Sequence, residues 1–188
     1  MEPFDPAKAR ARLHELFATR AVKWGKFTLA SGRESDFYID SKEVSLTGEG
    51  LWLIGNLVVD RIRPIVVGVG GLTLGADPIA CSAALVAHSR GRTLAAFIVR
   101  KEAKGHGTTK VVEGLGALPK GSRVTIVEDV ITTGGSALVA VNRANESGLH
   151  VEQVVGLVDR EEGGRAEIEK RGIGVEAIFK RSDFSRGA

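Results

Sequence analysis

The chain has 188 residues, 43% hydrophobic and 26% charged, enough for one α/β domain with its own core and too few for two comfortable ones. Its net charge is only +3, with acids and bases interspersed, which argues against a polynucleotide-binding face, and no apolar run reaches the ~20 residues of a membrane span. A single cysteine, Cys81, excludes an intramolecular disulfide and a cysteine-rich zinc site. It also fits a reducing compartment. Because Met1 to Arg12 carries charge and proline instead of a signal-peptide core, a cytoplasmic protein is expected. The 24 glycines stand well above a background near ~7%, so backbone positions that need tight turns or close ligand approach are expected.

Asp5-Pro6 reads as a helix start, aspartate capping free N–H groups and proline fitting the first turn, with Leu13, Leu16 and Phe17 at helical spacing behind it. Residues 26–42 (K-F-T-L-A-S-G-R-E-S-D-F-Y-I-D-S-K) alternate roughly around a Ser31-Gly32 turn signal and predict a hairpin. A second helix is predicted over 47–62, opened by Thr47, with Leu51, Ile54, Leu57 and Val58 on one face. Short apolar, mostly β-branched runs follow at 65–69, 94–99, 124–130, 154–158 and 175–179, separated by helical candidates at 76–88, 136–147 and 165–171. Such an alternation predicts an α/β fold with a central parallel sheet flanked by helices on both faces. One stretch interrupts it: residues 100–114 (R-K-E-A-K-G-H-G-T-T-K-V-V-E-G) are polar and glycine-punctuated, a candidate functional loop.

The sharpest signal is V-T-I-V-E-D-V-I-T-T-G-G-S, from Val124 to Ser136. An apolar strand runs into two acids, Glu128 and Asp129, and then into a turn that opens a helix. Free N–H groups and the positive end of the helix dipole suit a phosphate there. Gly134 and Gly135 let the backbone approach closely, and Thr132, Thr133 and Ser136 add hydroxyls. Carboxylates beside a phosphate cradle must face something other than the phosphate, for which ribose hydroxyls and a magnesium ion are natural partners. The plain alternative is a surface turn with solvated acids. No G-x-x-x-x-G-K-[ST] occurs, and Thr73 stands where a dinucleotide fingerprint beginning at Gly68 would need its third glycine.

This segment resembles the motif by which type I phosphoribosyltransferases bind phosphoribosyl pyrophosphate (PRPP). The loop R-K-E-A-K-G-H-G, together with F-T-L-A-S-G-R-E-S-D-F-Y and L-V-D-R-E-E-G-G-R, narrows the resemblance to orotate phosphoribosyltransferases. It implies the type I fold with a small N-terminal hairpin and helix hood (residues 1–45) on a core (46–188) in one domain. It also implies transfer of the phosphoribosyl group from PRPP to orotate, as in the de novo route to UMP. By resemblance the acidic pair holds the ribose hydroxyls, and residues Val130, Ile131, Thr132, Thr133, Gly134, Gly135 and Ser136 hold the 5′-phosphate. Arg100, Lys101, Lys104 and His106 meet the departing pyrophosphate. Lys101, Lys104, His106 and Asp129 are the implied catalytic set, and magnesium is carried by PRPP near Asp129. Arg160, Thr132 and the segment at Phe37-Tyr38 take orotate, and a homodimer shares its loops between subunits.

The residue types make chemical sense independently. Displacing pyrophosphate requires a departing polyanion to be stabilised and water to be excluded. A basic loop hinged by Gly105 and Gly107 can do both. The bland reading of that loop is a solvated basic segment. A guanidinium such as Arg160 can grip a carboxylate in bidentate fashion, although it could equally pair with Glu161 or Glu162, and Phe37 and Tyr38 could simply pack on the core.

Two departures stand out. Relatives carry a lysine where this chain has Ala30, leaving Lys26 or Arg33 to supply the contact. The turn G-V-G-G-L-T-L-G, from Gly68 to Gly75, lacks a basic residue, leaving backbone N–H groups near Leu72 and Thr73 for pyrophosphate. A transferase for another base, such as a purine, and a PRPP sensor without turnover are the competing classes. Arg160 argues against the first; Lys101, Lys104 and His106 argue against the second. A nucleic-acid-binding module would need aromatics interleaved with basic residues, which are missing.

Overall fold

A computed structural model describes residues 4–28, 34–102 and 110–185. The chain opens with α1 (Pro6–Leu16), where the Asp5 carboxylate accepts from the N–H groups of Ala7 and Lys8 at 2.9 and 3.1 Å and proline fills the first turn. A π-type turn, Phe17–Ala21, leads into β1 (Val22–Thr28), which pairs antiparallel with β2 (Glu34–Ile39). The predicted hairpin is therefore present. Its second strand ends at Ile39, however, and Lys42 lies in α2 (Lys42–Ser45), a helix too short to show a sequence period. Then comes α3 (Gly48–Val59), capped by the Thr47 hydroxyl, which accepts from the Gly50 N–H at 3.1 Å.

The central sheet has six strands in the order β5-β4-β3-β6-β7-β8. They are β3 (Gly68–Leu72), β4 (Ala95–Val99), β5 (Val112–Glu113), β6 (Arg123–Ile131), β7 (His150–Asp159) and β8 (Gly174–Lys180). All neighbours run parallel except β5, a two-residue antiparallel edge on β4. Part of the predicted 100–114 loop is thus sheet edge, with Val112 buried. The connecting helices are α4 (Ala76–Ser89), α5 (Gly135–Glu146) and α6 (Gly164–Glu169).

One core lies on the face covered by α1, α3 and α4 and includes Phe17, Phe37, Ile54, Ile79 and Val155; the other lies under α5 and α6 and includes Phe97, Ile126, Ala140 and Ile168. Each fully buried Leu, Ile or Phe stabilises the fold by about 1.5–3 kcal/mol. Phe37 belongs to the first core, so the N-terminal hairpin packs on the same interior as the sheet. Chain order moves outward from β3 to β4 on one side and from β6 through β8 on the other. The sheet therefore reverses its winding between β3 and β6, and open α/β sheets bind ligands at the carboxyl end of such a switch point.

Candidate active site

Strand β6 brings Glu128 and Asp129 to that end. Glu128 is buried, and both burial and the neighbouring Asp129 push its carboxyl well above the usual carboxylate range. Its Oε2 has no hydrogen-bond partner among the described residues. Asp129 is held on three sides. The Ser41 hydroxyl donates to its Oδ2 at 2.7 Å, and the Val130 N–H donates to Oδ1 at 2.9 Å. Its carboxylate also rests on Gly75, where a Cβ would stand 2.5 Å from the carboxylate carbon.

Beyond the acids the chain turns into α5. Gly134 caps that helix at φ 80°, in the left-handed region that favours glycine. The turn is clamped from behind by the Gly164 N–H, which donates to Thr132 O at 3.0 Å. A Cβ on Gly164 would lie 2.6 Å from that oxygen, and one on Gly134 would lie 2.8 Å from Gly164 O, so each glycine makes room for the other. Residues 130–137 and Glu128 line a small polar pocket at the start of α5. Its free N–H groups and the hydroxyls of Thr132, Thr133 and Ser136 suit one phosphate. A larger cleft adjoins it, lined by Lys42, Leu72, Thr73, Leu74, Gly75, Lys101, Glu128, Asp129 and Ser136. One of its walls is the turn after β3, where the Thr73 hydroxyl donates to Asp77 Oδ2 at 2.7 Å.

Arg160 leaves the end of β7 with its N–H bonded to Ile131 O at 2.9 Å. The following residue, Glu161, has φ 59°, a conformation that costs an ordinary residue about 1–2 kcal/mol. Two contacts hold it: its N–H donates to Asp159 Oδ1 at 2.9 Å, and its carboxylate accepts from the Ser182 N–H and hydroxyl at 2.9 and 3.2 Å. That turn folds the Arg160 guanidinium inward, only 5% exposed, against the hairpin. Its Nη2 donates to Ser35 Oγ at 3.0 Å and Phe37 O at 3.1 Å, while Nε lies 2.9 Å from Glu162 Oε1.

The sequence-predicted residues therefore separate. Glu128, Asp129 and residues Val130 to Ser136 form one continuous wall, and Lys101 faces it. Arg100 does not line either pocket: its Nη1 donates to Glu113 Oε1 at 3.2 Å at the sheet edge. The Phe37 ring is a core residue, 5.1 Å from Trp24, and it meets Arg160 both through its carbonyl and through its face, the guanidinium lying 5.5 Å from the ring centroid. Tyr38 is 38% exposed with its ring 5.4 Å from Phe27. Lys104, His106, Gly105, Gly107, Ala30, Arg33 and the Ser31-Gly32 turn lie outside the described residues. Lys26 is exposed and does not line the cleft. Sequence reasoning missed Ser41, Lys42, Gly75 and Gly164. The first two stand in D-S-K, the last three residues of the predicted hairpin, and Gly164 is the second glycine of L-V-D-R-E-E-G-G-R, a segment noted for its resemblance without a role for that residue.

No protein-family model matches the chain. It is 47% identical over 178 residues to an orotate phosphoribosyltransferase of Thermosynechococcus vestitus, covering 95% of this chain and 94% of that protein. Among solved structures it is similar to Mycobacterium tuberculosis orotate phosphoribosyltransferase in complex with Fe(III) dicitrate (TM-score 0.79, 40% identity, 93% of this chain and 98% of that one). A structure of the same enzyme in complex with PRPP gives a TM-score of 0.75 at 35% identity, again over 93% and 98% of the two chains.

Proposed function

The chain belongs to the orotate phosphoribosyltransferase family, and from that premise we propose how its own residues divide the work of moving the 5-phosphoribosyl group of PRPP to orotate. The reaction yields orotidine 5′-phosphate and pyrophosphate, a step of pyrimidine biosynthesis. One observation carries the assignment: a phosphate-sized turn and an acidic pair, Glu128 buried and Asp129 half-buried, share a wall at the switch point of the sheet.

The 5′-phosphate sits on the turn from Val130 to Ser136, where the start of α5 meets a dianion without needing a cation of its own. Glu128 and Asp129 accept the ribose hydroxyls. Asp129, and the orphaned oxygen of Glu128, suit a magnesium ion that arrives on PRPP, for such ions keep most of their shell from phosphate and water. When bound, that ion neutralises the diphosphate. Lys101 faces the departing pyrophosphate from within the same chain; Lys104 and His106 meet it from the loop, and Arg100, paired with Glu113 at the sheet edge, would have to leave that partner to join them. The base end lies under the hood of residues 1–45, against the core of residues 46–188. There Arg160 takes the orotate carboxylate, with Thr132 and the backbone at Phe37 and Tyr38 beside it. Arg160 is already aimed by the Glu161 turn, so little rotamer freedom is lost on binding.

The working unit is a homodimer that shares its loops. A groove between α3 and α4, lined by Leu51, Trp52, Leu85 and Val86 and flanked by Cys81, supports this. Trp52 and Leu85 are 51% and 70% exposed there, an apolar surface that a second copy would cover. The lone cysteine, Cys81, which is free, supports a cytoplasmic location.

The test is incubation with PRPP, magnesium and orotate, following the loss of orotate absorbance. Orotate should disappear with release of one pyrophosphate each, and adenine or hypoxanthine should not substitute. Asp129→Asn should fold normally and lose about 10²-fold or more in turnover, the scale of one electrostatic contact made in the transition state. Purine turnover in place of orotate turnover would overturn the substrate assignment, and near-normal rates for Asp129→Asn at saturating PRPP would overturn the role of the acid.

A further inference from the structure

We propose that Lys42 is a diphosphate-binding residue, a cation that the short helix α2 delivers into the cleft that Lys101 also lines. The inference rests on the reading above that this cleft takes the diphosphate end of PRPP. Among the described residues, the cations that line the cleft are Lys42 and Lys101. The polypeptide at Lys42 is pinned to the site, because Ser41, 1% exposed, donates its hydroxyl to Asp129 Oδ2 at 2.7 Å. Asp40 then fixes both ends of Lys42. Its Oδ1 accepts from the Lys42 N–H at 3.2 Å and lies 2.5 Å from Nζ. An ammonium has three donors, so this pairing leaves two for phosphate oxygens.

Charge points the same way. Asp40 chiefly, with help from Asp129, holds the ammonium above its ordinary lysine range against the cost of burial, so it stays charged in the cleft. The opposite wall, at Thr73, has backbone and hydroxyl groups but no side-chain cation. A diphosphate entering between them would meet Lys42 and Lys101 across from backbone N–H groups. Each contact to the departing group strengthens as its charge grows during bond cleavage. Because α2 follows the hairpin directly, the same lysine ties the segment that covers the base to occupancy of the diphosphate site.

The experiment compares Lys42→Met and Lys42→Arg with wild type in steady-state kinetics. Calorimetric binding of inorganic pyrophosphate with magnesium, and separately of inorganic phosphate, is measured alongside. Lys42→Met should raise the PRPP KM and the inhibition constant of pyrophosphate about tenfold or more, the size of one lost charge-assisted contact. The orotate KM at saturating PRPP and the affinity for inorganic phosphate should stay within about twofold, and Lys42→Arg should recover part of the loss. Unchanged PRPP KM and pyrophosphate affinity in a folded Lys42→Met protein would overturn the proposal, as would a uniform loss across PRPP, orotate and phosphate. If Lys42→Met does not fold, Lys42→Gln carries the same expectations. Should wild type fail to convert orotate, the proposed function falls, while pyrophosphate binding by wild type against Lys42→Met still decides the role of Lys42.

Discussion

At the scale of single residues, Glu128 makes a stability prediction with a definite sign. Its carboxyl is raised in the fold by burial and by Asp129, whereas in the unfolded chain it titrates at an ordinary ~4.3. Between those two values the folded protein holds a proton that the unfolded chain has lost. Stability therefore falls as pH rises through that window, and the whole penalty is present above the folded value. Glu128→Gln removes the penalty while keeping the shape. Ligand-free calorimetry should find the variant melting above wild type at neutral pH, with the gap closing below the ordinary carboxylate range. A gap that stays constant with pH would mean Glu128 is not being held protonated. Arg160 predicts on the other substrate. Arg160→Ala removes a charge-assisted pair worth about 1.5–3 kcal/mol, hence one to two decades in kcat/KM for orotate. Movement of the PRPP KM with the orotate KM unchanged would show that the guanidinium serves the wrong substrate.

At the scale of elements, the phosphate turn and the start of α6 fit only because two glycines face each other. A Cβ at Gly164 would meet Thr132 O at 2.6 Å and Gly134 N at 2.7 Å, both backbone atoms of the turn. Gly164→Ala should cost about 1–3 kcal/mol, as overpacking does. It should also weaken inorganic phosphate and PRPP binding more than orotate binding. Gly116→Ala, where a Cβ meets nothing within 4 Å, is the matched control and should be silent. Phosphate affinity unaltered in a folded Gly164→Ala protein would show that the turn does not depend on this packing. The same kind of contact explains what the sequence concealed. Residues 65–69 read as a strand because Ile65, Val66 and Val67 are β-branched, yet Ile65 is 55% exposed and the strand is Gly68–Leu72. Its glycines lack β-propensity, but a Cβ at Gly70 would lie 2.3 Å from Phe97 O and one at Gly71 2.2 Å from Val127 O. Close approach of neighbouring strands selects the residue there, and a hydrophobic pattern cannot report it. Long periodic elements such as α4 and β7 were legible, and so was the acid-turn wall, which is contiguous in sequence. Helix α2 and strand β5, of four and two residues, are shorter than any period. Ser41 reaches Asp129 across 88 positions of chain, which no local motif encodes.

At the scale of the whole molecule, the position of Lys101 decides how sharing between subunits must be tested. Lys101 lines the cleft of its own chain beside Glu128, so a variant lacking it damages its own site whatever the rest of the loop does. The informative pair is Lys104→Ala/His106→Ala in one chain and Glu128→Gln/Asp129→Asn in the other, each expected to be inactive as a homodimer. If Lys104 and His106 cross to the neighbour, a mixed dimer has one wholly native site, with acids and Lys101 from one chain and loop cations from the other. Its second site carries both defects. Random mixing makes about half the dimers mixed, so roughly a quarter of wild-type activity should return, as two-fold symmetry requires. The same mixture made with Lys101→Ala added to the loop variant should recover none of it, because the site with intact acids then loses its own Lys101. Recovery with the first pair and not the second would place Lys104 and His106 in trans and Lys101 in cis. No recovery with either, once subunit exchange is demonstrated by mass labelling, would mean that each loop closes over its own chain.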